Sequence, residues 1–148
     1  MWFLPYRVDV HRDDCLAICS SNIPRYIDPT ELADFDEFLA SYADHGARYV
    51  VGIEGDRVLA CGGLAFDADR RLTTLCWGLV HHDHHRRELG TALLEERLSW
   101  VDPGWTTELR TTQKTRAFFE RFGFVAQRIV PDGYGPGLDQ IHMVRSSR

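Results

Sequence analysis

The apolar stretch that opens the chain, Trp2 to Val10, reads as a first strand, limited by Pro5. Asp13 and Asp14 then open a short helix that carries Cys15, Leu16, Ile18 and Cys19 at helical spacing. Asp28-Pro29-Thr30-Glu31 is a stronger start signal: an N-cap Asp, a Pro at the first helical position and a Glu three residues on. Leu32, Phe35, Phe38, Leu39 and Tyr42 mark the buried face of that helix, which ends before Gly46. Three strands follow as a meander, Tyr49 to Glu54, Val58 to Phe66 and Leu72 to Val80, turning at Gly55-Asp56 and at Asp67 to Arg70. A helix from Leu89 to Trp100 is stopped by Asp102-Pro103-Gly104. Thr106 to Thr112 reads as a strand, and Lys114 to Phe122 as a helix closed by Gly123. Val125 to Val130 and Ile141 to Val144 form a closing pair of strands, with the glycine-rich loop PDGYGPGLD between them.

This order of elements predicts one α+β domain over residues 1–148, long enough to bury about two-thirds of its unfolded surface. A net charge of −5 and a pI of about 5.8 argue against a nucleic-acid binder, which carries a basic stripe. No apolar run reaches the roughly 20 residues of a membrane span, and the N-terminus lacks a signal-peptide pattern, so a cytoplasmic protein is expected. The four cysteines, Cys15, Cys19, Cys61 and Cys76, fall in apolar patterns and read as small buried hydrophobes.

The candidate chemistry lies in GLVHHDHHRRELGTALLEERL. There a strand ends, a polar loop carries Arg86 and Arg87, and a helix opens at Gly90-Thr91. The free N–H groups and dipole of a first helical turn make an anion site, and a glycine there lets a ligand approach the backbone. The segment resembles the acetyl-CoA motif of the GNAT N-acetyltransferase superfamily, Q/R-x-x-G-x-G/A before an apolar helix. In the preferred frame Gly90 is the second glycine, His85 holds the Gln/Arg position and Glu88 the first glycine. The other frame, Arg87-x-x-Gly90-x-Ala92, shifts the leucines. TTQKTRAFFERFGFV resembles the family's fourth helix, with Thr112 where Asn is common and Phe119 where a catalytic Tyr is common.

The resemblance implies a single GNAT-like α+β domain, with a mixed, mostly antiparallel sheet of about seven strands and about four helices. It implies acetyl-CoA as cosubstrate, with its pyrophosphate held by His85, Arg86, Arg87, Glu88, Leu89, Gly90 and Thr91. Pantetheine would lie in a gap between the strands Leu72–Val80 and Thr106–Thr112, near the Leu79 and Val80 backbone, Thr112 and Phe119. The acceptor would be a small-molecule or peptide amine, with Tyr26 lining its pocket and a homodimer as an assembly common in the family. An amine of pKa about 10.4 must lose a proton to react, and His81, Glu108 and Tyr134 are the candidates for proton handling. Tyr134 is also a candidate to replace the hydroxyl missing at Phe119. The His81–His85 cluster has no second ligand set at a metal-binding spacing, so no metal is expected. The absent tyrosine leaves a second reading, an acyl-CoA-binding sensor or regulatory module without turnover.

Overall fold

A computed structural model describes residues 1–85 and 88–146. Its sheet has seven strands: β1 (Trp2–Pro5), β2 (Ala47–Glu54), β3 (Arg57–Asp67), β4 (Leu72–Val80), β5 (Thr106–Thr111), β6 (Val125–Gly135) and β7 (Leu138–Ser146). They lie in the order β1-β2-β3-β4-β5-β7-β6, antiparallel throughout except for the β4–β5 pair. Four helices accompany them: α1 (Val8–Ser21), α2 (Glu31–Ser41), α3 (Leu89–Leu98) and α4 (Arg116–Glu120). No helix among the described residues is long and apolar enough to cross a membrane.

The helices cover opposite faces. Cys15, Ile18 and Cys19 of α1 and Phe35 and Leu39 of α2 pack on Tyr49, Val51 and Cys61. On the other face, Leu94 of α3 and the aromatic side chains of α4 pack on Leu64, Leu75, Leu109, Ile141 and Met143. Each strand alternates accordingly, so residues flanking Leu75, Leu109 and Met143 point to the α1/α2 face.

Five elements depart from the sequence reading. The first strand ends at Pro5 rather than Val10, and α1 begins at Val8, five residues before Asp13. Val8 and Val10 are about half exposed, so they line no sheet face; the Arg7 N–H donates to Nδ1 of His11 at 2.9 Å and starts the helix. PDGYGPGLD is not a loop. Strands β6 and β7 extend through it and close at Gly135↔Leu138. The Gln113 side chain holds this hairpin, donating to the Gly137 carbonyl and accepting from the Asp139 N–H. Finally, α4 is shorter than Lys114 to Phe122, because residues 112–115 form a turn before it. The second helix begins at Glu31 rather than Pro29, but the expected capping contacts are present. Asp28 accepts from the Thr30 N–H, and the Glu31 carboxylate accepts from the Asp28 N–H at 3.0 Å.

Candidate functional site

The parallel pairing of β4 and β5 covers only Leu72↔Thr106, Thr73↔Thr107 and Thr74↔Glu108. Beyond Thr74 the strands part. The cause lies in β4, where a register shift places Trp77 and Gly78 opposite Gly62 and Trp77 adopts φ +43°. An extra residue with left-handed backbone bends a strand and increases its twist. The Tyr49 hydroxyl donates to the Trp77 carbonyl at 2.7 Å and fixes the bend. The His81 N–H donates to the Leu59 carbonyl in the β3 ladder, so by alternation the Val80 N–H faces the gap. The Val80 carbonyl is taken: it accepts from Asn22 Nδ2 and lies 3.0 Å from Nε2 of His85. Leu79 pairs with Cys61, and its side chain joins the α1/α2 core.

At the end of β4 stands the N-terminus of α3. Glu88 precedes it in a left-handed conformation, φ +61° and ψ +14°, which glycine adopts at least cost. That is the position where the preferred motif frame expects a glycine, and the Glu88 side chain is exposed and makes no cap. Among the described residues, a Cβ added to Gly90 would meet only the Phe118 ring, at 3.7 Å and beyond, so no described side chain fills the space above this turn. The N–H groups of Leu89, Gly90 and Thr91 belong to the first turn, which has no intrahelical acceptors. These features fit a phosphate-bearing ligand. Arg86 and Arg87, expected to add positive charge here, lie outside the described residues.

His85 packs edge-on to Tyr26, with ring centroids 5.1 Å apart, and burial pushes its pKa below the usual value despite its contact with Val80. Tyr26 also meets His82 and lies under the Lys114 ammonium, 5.7 Å from its ring centroid. It therefore touches residues that follow both parted strands. His81 is committed to its own turn, where Nδ1 accepts from the Asp83 N–H. Thr112 is buried, and its hydroxyl accepts from the Lys114 N–H. Phe119 is packed edge-to-face on Phe118 and Phe124 and supplies no hydroxyl.

On the α1/α2 face Tyr134 comes close to Glu31, Arg110 and Gln140. Burial pushes its phenol up to about 12, reinforced by Glu31 and opposed by Arg110 and the Gln140 bond. Burial likewise raises Glu31. Glu108 lies at the apex of the gap. It accepts from the Thr74 hydroxyl at 3.1 Å and lies 2.9 Å from Nε2 of His142. A cavity of about 370 Å³ opens beside Thr74, lined also by His45, Phe66, Asp67 and Asp69. The structure thus brings Glu108 and Tyr134 to one face and leaves His81 at the far end of β4. Sequence reasoning missed His142 and read Glu31 as a helix-capping residue. His142 is a polar residue at an alternating position of an apolar strand, a signal that gains meaning only once β5 and β7 are known to be neighbours.

A family model described as an acetyltransferase (GNAT) domain matches residues 45–126. A solved protein of the GNAT family from Desulfovibrio desulfuricans superposes with a TM-score of 0.77 at 22% identity, covering 98% of both chains. The ribosomal-protein-S18-alanine N-acetyltransferase of Escherichia coli gives 0.76 at 17% identity, over 99% of this chain and 93% of that one. The aminoglycoside 6'-N-acetyltransferase of Enterococcus faecium gives 0.72 at 15%, over 99% and 97%. At these identities the likeness is one of fold. A search of curated protein sequences finds no match.

Proposed function

Because the chain belongs to the GNAT acetyltransferase family, we propose that it transfers the acetyl group of acetyl-CoA to an amine by direct attack in a ternary complex. The observation that carries this reading is the gap between β4 and β5, opening beside an α3 N-terminus with a left-handed Glu88 and, among the described residues, clear space over Gly90. In this reading the first-turn N–H groups of Leu89, Gly90 and Thr91 bind the pyrophosphate, and His85 supports the loop from below. The Val80 N–H binds pantetheine, with Leu79, Thr112 and Phe119 shaping the channel. Acetyl-CoA supplies an activated thioester. The protein must orient it, place the amine and move a proton.

The acceptor enters from the α1/α2 face, between Tyr26, the start of α2 and the β6–β7 hairpin. Glu31, Glu108, Asp67 and Asp69 place carboxylates on this side, among the cations Arg110 and Lys114, and suit a small-molecule or peptide amine carrying positive charge. Tyr134, a neutral phenol at physiological pH, donates a hydrogen bond to the departing sulfur in place of the hydroxyl absent at Phe119. The packing of Phe119 into the core favours a second reading, an acyl-CoA-binding sensor without turnover.

A thermal-melt titration with acetyl-CoA, CoA and ATP tests the first requirement. A ligand at 100 times its Kd adds about 2.7 kcal/mol, a shift of several degrees for a domain of this size. A shift with both CoA species and not with ATP is the expected result. No shift at millimolar CoA overturns the proposal. Binding without acetylation across a broad amine panel favours the sensor.

A further inference from the structure

Both oxygens of Glu108 are already in use. Oε1 accepts from Thr74 Oγ1 at 3.1 Å, and Oε2 faces His142 Nε2 at 2.9 Å. Burial raises the Glu108 carboxyl, but the bonds from His142 and Thr74, with the charges of His142 and Arg110, outweigh it, and the group is held below the usual carboxylate range. An ionised carboxylate only accepts hydrogen bonds, so the hydrogen of the shared bond sits on Nε2. A neutral imidazole with its hydrogen on Nε2 carries its basic lone pair on Nδ1.

The position of the pair matters as much as its bonds. Thr74↔Glu108 is the last pair before β4 and β5 part. Ile141, Met143, Leu109 and Leu75 turn into the core under α3 and α4, so His142, Glu108 and Thr74 present their side chains to the opposite face. The side chain of His142 is 28% exposed and that of Glu108 19%, so the imidazole is the more accessible of the two. Directly opposite His142 stand Arg110 on β5 and Arg128 on β6, and its same-face neighbours on β7, Gln140 and Val144, are uncharged.

We infer that Nδ1 of His142, and not the Glu108 carboxylate, takes the proton from the acceptor amine, with Glu108 as the positioning residue that fixes the tautomer and Thr74 as the group that holds Glu108. The inference rests on the acetyl-transfer reading above. In the step it describes, the acceptor ammonium gives one proton to Nδ1, and the freed nitrogen lone pair forms the C–N bond to the thioester carbon. The C–S bond breaks with its electron pair on sulfur, which takes the second nitrogen proton. The products are the N-acetylated acceptor, the CoA thiol and one proton, released from the imidazolium to water. Glu108 stays ionised throughout and stabilises the imidazolium.

Two measurements test it. Histidine side-chain ¹⁵N shifts of the ligand-free protein at mildly alkaline pH report the tautomer directly. The Nε2–H form at His142, lost in Glu108→Gln, is expected; the Nδ1–H form overturns the inference. Steady-state acetylation of spermidine, kanamycin and an alanine-initiated peptide supplies the second arm. With the best acceptor, His142→Gln lowers kcat about 100-fold, leaves the KM for acetyl-CoA unchanged and removes the acidic limb of the pH profile. Glu108→Gln, which keeps the side-chain shape, lowers kcat less and moves that limb. A His142→Gln enzyme that melts with wild type and keeps kcat within about threefold overturns the inference. Wild-type protein that binds no acetyl-CoA overturns the acetyl-transfer reading instead. Should no acceptor in the panel turn over, the tautomer alone decides.

Discussion

The Arg97 guanidinium lies directly under Gly78. A Cβ at residue 78 would sit 2.5 Å from Nη2 and 2.9 Å from Cζ. Arg97 is 4% exposed; Nη1 donates to the Gly63 carbonyl at 3.3 Å, and Nε has no partner among the described residues. The bend that parts β4 from β5 is therefore built over a buried cation. Gly78→Ala should cost about 1–3 kcal/mol, because the guanidinium has little room to yield. In an Arg97→Met background the same change should cost less, and the difference between the two costs is the coupling. Urea melts of the four proteins measure it, and additive costs would refute the contact.

Glu88 holds a left-handed backbone and a negative charge beside the proposed phosphate site. Glu88→Gly removes both. Its effect on folding should stay within about 1 kcal/mol, since relief of backbone strain is offset by a freer unfolded chain. Its effect on CoA binding should be a tightening of about fivefold from the lost repulsion. Calorimetric titration with CoA checks this; unchanged or weaker binding would place the pyrophosphate elsewhere.

His85 links proton binding to stability. Burial depresses its folded pKa, with His82, His81 and Arg25 acting in the same direction and the Val80 carbonyl opposing. The unfolded chain therefore binds this proton more readily. Stability contributed by neutral His85 is present above about pH 6.5, the unfolded value, and is lost as pH falls through the folded pKa. His85→Gln should flatten the melting-temperature profile below about pH 6.5. An equally steep profile in the variant would assign that slope to other groups.

Tyr134 keeps its proton up to about pH 12. If its hydroxyl bonds the departing sulfur, Tyr134→Phe should lower kcat about tenfold or more and leave the Kd for CoA in place. Since Tyr134 is ionised nowhere near neutrality, the alkaline limb of the rate profile should not move. An unchanged kcat with the true acceptor would remove Tyr134 from the chemistry.

Local chemistry made much of this fold legible in the chain itself. The Asp28–Glu31 capping pair marks the second helix, and the meander from β2 to β4 is written in alternation and turn residues. The His85–Thr91 segment signals its loop-to-helix transition through Gly90 and the leucines that follow. What escaped is held by contacts between distant residues. The β6–β7 hairpin has a loop-like composition, yet Gln113, outside the hairpin, clamps it into strands. The early start of α1 depends on a His11 contact that outweighs the strand-like appearance of Val8 and Val10. The Glu108–His142 pair joins residues 34 positions apart, which no local pattern brings together.

Tyr26 touches His82 and His85 after β4 and Lys114 after β5, and the Lys114 ammonium is anchored on the neighbouring Arg25 carbonyl. The separation of the two strand ends is thus tied to the segment between α1 and α2, on the side proposed for the amine's approach. Widening or narrowing the gap must slide or break one of these contacts, so a change in the gap is felt at Tyr26. In the acetyl-transfer reading, reciprocity means that an amine pressing on Tyr26 changes how tightly the gap holds the thioester. One aromatic ring then makes the two substrates, in that reading, thermodynamically aware of each other.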